Sequence, residues 1–196
     1  TATIVDNDVP VVSVTAGSTF VETDGTFNAV ITVSMDIQSV FDITFDFATA
    51  PSGVNSATAN DDYTTTTGND VTIPASSTSV NILIPIVGDV TDEVDETFTV
   101  TLSDVSNAND GNLEHIVTIQ DDDLSTIDLF DTITKEGNAT ASLVYATLST
   151  VSDRTVTVGY STSGFTAIGD GTDYDDVSGT LTWLPGETIA FVDVTI

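Results

Sequence analysis

Apolar and polar residues alternate along most of this chain with the period of a β-strand. Phe41, Ile43, Phe45 and Phe47 fall on one face, and Asp42, Thr44 and Asp46 on the other. Phe27/Ala29/Ile31/Val33, Val80/Ile82/Ile84/Ile86 and Phe98/Val100/Leu102 repeat the pattern. Such alternation marks strands with one face in a core and one in water. Clusters of Gly, Pro, Asn, Asp and Ser, the residues that turns require, separate the runs. Strands are expected over residues 11–15, 27–35, 40–48, near 71–73, 79–87, 96–103 and 113–120. About seven short strands in roughly 110 residues read as an antiparallel β-sandwich. Thr is abundant and helix formers are scarce, and no amphipathic helix of useful length is found.

The chain also repeats itself. Thr3-Ile4-Val5-Asp6-Asn7-Asp8 returns as Thr118-Ile119-Gln120-Asp121-Asp122-Asp123, and Glu22 ahead of Asp24-Gly25 returns as Glu136-Gly137. Asp62-Tyr63 returns as Asp173-Tyr174, and Gly68 with its strand as Gly179-Thr180-Leu181-Thr182-Trp183. Offsets of about 110–115 residues indicate tandem domains rather than a solenoid. The register assigns residues 1–8 to the tail of a preceding repeat, 9–123 to a complete sandwich and 124–196 to a partial one. That last repeat stops after its fifth strand, which would leave core and strand edges open. A longer array is the expected setting, and a neighbouring chain supplying the missing strands is the alternative.

Charge changes the picture. Among 196 residues there are 2 Lys+Arg against 31 Asp+Glu, a formal net charge of −29. Two cations cannot neutralise a run of phosphates, so nucleic-acid binding is excluded, and an anionic membrane surface would repel the chain. No apolar run reaches the roughly 18 residues of a spanning helix, so direct membrane insertion is not expected. With no Cys there are no disulfides, thiolate nucleophiles or thiolate metal sites. Self-repulsion of this size needs an offset, either high ionic strength or bound cations.

The positions of the acids bear on that choice. If successive strands alternate in direction, the connections after the first, third and fifth strands share one end with the exit of the seventh. Glu22 and Asp24 lie in the first of these, and Asp61 and Asp62 in the second. Asp89, Asp92, Glu93, Asp95 and Glu96 lie in the third, and Asp121, Asp122 and Asp123 at the exit. Any one of these acids alone reads as a solvated loop residue. Together they form a dense set of hard oxygen donors, which suits Ca2+ with its 6–8 oxygen ligands better than Mg2+ with its strict octahedron.

These residues resemble the Calx-β family. The likeness rests on the Glu-x-Asp-Gly and Glu-Gly turns, on Asp62-Tyr63 and Asp173-Tyr174, and on Pro185-Gly186-Glu187-Thr188. Glu93-Val94-Asp95-Glu96-Thr97-Phe98 and the closing Asp121-Asp122-Asp123 complete it, and together the motifs cover nearly the whole chain. The resemblance implies tandem immunoglobulin-like sandwiches, all-β, that bind calcium at the end facing the following domain. By position it implies Glu22, Asp89, Glu93, Glu96, Asp121, Asp122 and Asp123 as ligands. The Thr91 carbonyl, Asp62, Glu136 and Asp173 are weaker members of the set. Gly88 stands where the family often has a second acid, and the acid that opens the 51–54 region is missing. Fewer or weaker calcium sites are therefore expected than in the best-equipped members.

Catalysis finds little support. His115 is the only His and shares a strand face with Val117 and Ile119, which suits a structural residue. Trp183 alternates with Leu181 as a core residue would, and no Gly-rich phosphate loop follows a strand. Asn138-Ala139-Thr140 matches a glycosylation sequon. The expected function is a non-enzymatic calcium-binding repeat that rigidifies an extracellular adhesin stalk or cell-surface filament. Its expected partners are neighbouring repeats or subunits and a cell-surface or matrix ligand. The alternatives are a calcium-sensing regulatory module of a transporter and a filament subunit completed by strand exchange.

Overall fold

The computed structural model describes all residues except 1, 3–6, 17, 136 and 138–140. The expected tail at 3–6, the weaker ligand Glu136 and the sequon at 138–140 therefore lie outside the described residues. No helix occurs among the described residues. The chain divides into two compact units, residues 1–89 with 94–122, and residues 90–93 with 123–196.

The first unit has two sheets. Strands β1 (Val11–Ala16), β3 (Thr26–Met35), β6 (Ser79–Val87) and β8 (Asn109–Asp110) form one, in the order β6-β3-β1-β8. Strands β2 (Thr19–Val21), β4 (Ile43–Pro51), β5 (Thr67–Ile73), β7 (Glu96–Ser106) and β9 (Glu114–Gln120) form the other, in the order β2-β9-β7-β4-β5. The alternating residues read from the sequence meet in one core: Ala29, Ile31, Val33, Ile82, Ile84 and Ile86 from one sheet, and Ile43, Phe45, Phe98, Val100 and Val117 from the other. Burying such side chains contributes about 1.5–3 kcal/mol each, which is what holds the two sheets face to face. Tyr63, in the β4–β5 connection, is fully buried and stacks on Phe98 with ring centroids 4.3 Å apart.

Three details depart from the pattern-based expectation. The third strand begins at Ile43 rather than residue 40, and Val40 and Phe41 are 76% and 67% exposed. The buried Ser39 causes this. Its hydroxyl accepts a hydrogen bond from the Phe41 N–H at 3.0 Å and its carbonyl accepts one from the Ser76 N–H at 2.8 Å, a local turn that competes with extension. The short strands β2 and β8 were also not expected. Three and two residues are too few to show a period, and both pair in parallel with strands remote in sequence, Thr19–Val21 along β9 and Asn109–Asp110 along β1.

The second unit repeats the plan. Strands β10 (Ile127–Phe130), β11 (Ala141–Leu148) and β14 (Ile189–Thr195) form one sheet in the order β10-β11-β14. Strands β12 (Val156–Ser161) and β13 (Ser178–Trp183) form a two-stranded sheet. Ala146, Leu148, Leu181, Trp183, Ala190, Val192 and Val194 make its core, with Trp183 fully buried.

Candidate metal centre

The carboxylates reach one end of the first sandwich because of how its strands terminate. Strand β2 runs parallel to β9, pairing Thr19 with Thr118, Phe20 with Ile119 and Val21 with Gln120. The next step of that register sets Glu22 beside Asp121, and the Glu22 N–H donates to the Gln120 carbonyl at 2.9 Å. Glu22 is only 5% exposed. Glu22, Asp121 and Asp123 each offer a carboxylate oxygen, and these oxygens all lie within 4.8 Å of one another. The three-residue strand that the alternation does not reveal is thus the element that positions this group.

A second set forms where β7 starts. Asp62, Glu93 and Glu96 also bring carboxylate oxygens within 4.8 Å of one another, and all three are half-buried. Glu96 is held at the first position of β7, opposite Ile119 of β9. Asp62 is fixed by its turn. Its carboxylate accepts from the Thr58 N–H, and its carbonyl accepts from the Val87 N–H at 2.9 Å. The Asp121 N–H donates to the Asp95 carboxylate at 3.3 Å, bracing the β9 exit against the entry of β7.

Both sets are all-oxygen and anionic. Two oxygens on opposite sides of one Ca2+ at about 2.4 Å are about 4.8 Å apart, so a single ion could touch every member of either set. Three charges at such a spacing repel strongly, and a divalent cation is the simplest way to offset them. The donor chemistry therefore fits a hard cation and offers nothing that would select a soft one.

Other candidate residues fall outside these sets. Asp89 is exposed in the β6–β7 connection and Asp122 is exposed between Asp121 and Asp123. Thr91 lies two residues before Glu93 in the 90–93 segment and has no side-chain carboxylate to add to a set. Asp173 accepts a hydrogen bond from the Ile168 N–H at 2.7 Å, the same turn-fixing task Asp62 performs for Thr58. Gly88 has a steric reason to be Gly. A Cβ there would stand 2.0 Å from the Thr23 carbonyl oxygen, while the Gly88 N–H donates to the Gly25 carbonyl at 2.9 Å. A side-chain carboxylate at this position has no room without backbone movement.

Asp92 takes a different course from its acidic neighbours. It is 3% exposed, its carboxylate accepts from the guanidinium of Arg154, and it forms an isolated bridge with Ser152. Its N–H donates to the Val151 carbonyl at 2.8 Å, and its carbonyl accepts from the Ser152 hydroxyl at 3.1 Å. One of only two cations in the chain is thus spent on the one fully buried acid of this loop. Reading the loop acids as a single group misses this, because an Arg about sixty positions away gives no local signal.

A family model for the Calx-beta domain matches residues 6–128 and again 120–196. The chain belongs to the Calx-beta domain family. Two solved structures show the same fold at low sequence identity. The crystal structure of CBD12 from CALX1.2 is 22% identical, with a TM-score of 0.52 over 95% of this chain and 75% of that one. The crystal structure of calcium binding domain CBD12 of CALX1.1 is 18% identical, with a TM-score of 0.51 over 93% of this chain and 74% of that one. No curated protein matches the chain. Along the Calx-beta chain, the carboxylate sets gather residues that follow β2 and β9 and that lead into β7.

Proposed function

We propose that this chain is a non-enzymatic calcium-binding structural module, and that Ca2+ held by its carboxylates stiffens an extracellular adhesin stalk or cell-surface filament. The observation that carries the reading is the pair of carboxylate sets, Glu22/Asp121/Asp123 and Asp62/Glu93/Glu96, each compact enough for one ion. In the absence of a cation each set is a store of repulsion. Loading relieves it and ties the exit of β9 to the ends of β2 and β7. Asp89, Asp122 and the Thr91 carbonyl adjoin the sets in sequence and complete the coordination on loading. Composition supports an exterior setting, since 31 acids against two cations are best tolerated where salt and calcium are plentiful. The partners are then neighbouring repeats or subunits and a cell-surface or matrix ligand.

Isothermal titration with Ca2+, together with melting and small-angle scattering in calcium and in chelator, tests the proposal. Binding, a higher Tm and a smaller, stiffer particle in calcium are expected. No heat of binding, with identical Tm and scattering in the two conditions, would overturn it.

A further inference from the structure

The outer face of the β10-β11-β14 sheet carries a row of aromatic rings. The inward residues of β11 and β14, among them Ala146, Leu148, Ala190 and Val192, are buried in the core, whereas Ile127 and Leu129 in the same rows of β10 are exposed. On the opposite face Phe130 pairs with Tyr145 and Tyr145 with Phe191, giving three rings side by side across three strands. The Phe130 and Tyr145 centroids are 4.9 Å apart and nearly parallel, and those of Tyr145 and Phe191 are 6.5 Å apart and tilted. The rings are 41%, 37% and 56% exposed, and Ile189 and Leu143 extend the apolar strip along the neighbouring rows. Contiguous exposed apolar surface of this kind marks an interaction site more often than chance.

The first unit provides an internal control. On its corresponding face Val30 pairs with Leu83, but the adjoining pairs are Thr32 with Asn81 and Asn28 with Pro85. The aromatic row is therefore no requirement of the fold.

Charge indicates what covers it. Asp128 shares a row with Thr147 and Ile189 on one side of the aromatic row, and Asp193 shares a row with Leu143 on the other. Strands β10, β11 and β14 contain no Lys or Arg. Four residues along β14 and two strand spacings across the sheet separate the acids by about 17 Å. A second copy of the chain would bring another −29 against these acids and is disfavoured. We propose that this face docks a cationic polypeptide segment in which an apolar side chain, seated on the Phe130–Tyr145–Phe191 row, lies between two basic residues that reach Asp128 and Asp193. In an extended segment, side chains at i, i+2 and i+4 share a face and span about 14 Å between the outer two, within reach of both acids through flexible Lys stems. The proposal is independent of calcium binding.

The test uses the full chain and the acetylated, amidated peptide Lys-Thr-Phe-Thr-Lys, followed by two-dimensional amide NMR at physiological ionic strength. Expected are shifts confined to β10, β11 and β14. Affinity should fall roughly tenfold when the peptide Phe becomes Ser or the chain carries Phe191→Thr, and several-fold for Asp193→Asn. Both variants alter exposed side chains, and Trp183 fluorescence verifies that the unit remains folded. Shifts scattered over the acidic loops and equal for the two peptides would reduce the effect to unspecific charge attraction and overturn the proposal. Concentration-dependent changes at these strands without peptide would overturn it in favour of a second copy.

Discussion

Replacing Glu22 by Gln should raise stability without calcium and lose that advantage with it. Glu22 is 5% exposed, and its carboxylate lies within 4.8 Å of those of Asp121 and Asp123. At that separation two unit charges repel by about 0.9 kcal/mol in a water-like dielectric and about 3.5 kcal/mol at an effective dielectric near 20. The substitution removes two of the three repelling pairs. Because Asp121 and Asp123 are half-buried, the relief falls in the lower part of the range, about 2–4 kcal/mol in chelator. Weaker acceptor strength of the amide oxygen takes back about 1 kcal/mol. The variant should therefore melt higher than the parent in chelator by roughly 4–10 °C for a unit of this size. In calcium it lacks one anionic ligand, and an affinity loss of roughly 10–100-fold corresponds to about 1.4–2.8 kcal/mol less stabilisation. The advantage should then vanish or reverse. Calorimetry reads both transitions, and Trp183, the only Trp, reports the second unit alone as an internal reference. A variant that melts lower than the parent in chelator, with the parent's full calcium increment, would refute the reasoning that these carboxylates are held in mutual repulsion.

The remaining predictions concern single contacts. Arg154→Ala leaves the buried Asp92 carboxylate without its cation and should cost the second unit about 2 kcal/mol, discounted for the 43% exposure of Arg154. Asp92→Asn in that background should recover part of the loss in Trp183-detected melting, and a silent Arg154→Ala would deny the ion pair any role. Gly88→Ala should destabilise the first unit by more than about 2 kcal/mol, because the new Cβ meets the Thr23 carbonyl at 2.0 Å. An unchanged first calorimetric transition would show the approach to be looser. Burial, with Asp62 as a second cause, raises the Tyr63 pKa above its usual value. The neutral phenol therefore contributes stability that is complete below about pH 10 and is lost as pH rises through the folded-state pKa. Alkaline melting should be shallower for Tyr63→Phe than for the parent, and equal slopes would exclude Tyr63 as the titrating group.

The chain's alternation alone makes most of the first sandwich legible. Strand β6 spans residues 79–87 as expected, and Ile82, Ile84 and Ile86 face the core in the phase the sequence shows. A period-2 pattern is a local signal, and it survives because each of these strands buries one face. Local signals fail where tertiary contacts decide. Phe41 has the right phase for the core, but the Ser39 turn removes it from the strand. Strands β2 and β8 exist only because β9 and β1 offer parallel edges to residues far away in sequence. The site divides in the same way. Loop order alone places Glu22, Asp62, Glu93, Glu96, Asp121 and Asp123 at one end of a sandwich, but it cannot sort them into two sets. Nor does it reveal that Asp92 turns inward to Arg154, since long-range ion pairing leaves no trace in spacing.

The net charge of −29 overstates how much calcium the chain needs. Many of its carboxylates already have positive partners in the backbone. Asp36 accepts from the Val11 N–H at 2.7 Å, Asp42 from Ala75 and Asp46 from Asp70 at 2.8 Å, and Glu187 from Leu184 at 2.9 Å. Backbone donors stabilise a carboxylate without adding a counter-charge, so these acids are satisfied locally and do not call for a divalent ion. At physiological ionic strength the Debye length is about 8 Å, well beyond the 4.8 Å spacing within either carboxylate set. Monovalent salt and calcium should therefore act on different parts of the charge. Raising NaCl in chelator should increase Tm modestly by screening the scattered acids, and subsequent calcium should still add its own increment because the two sets remain unscreened at contact. Differential scanning calorimetry over a salt series, each point with and without calcium, separates the two effects. If high NaCl abolished the calcium increment, the acidity would be a diffuse field rather than two built sites, and the sets at the ends of β2, β9 and β7 would lose their special role.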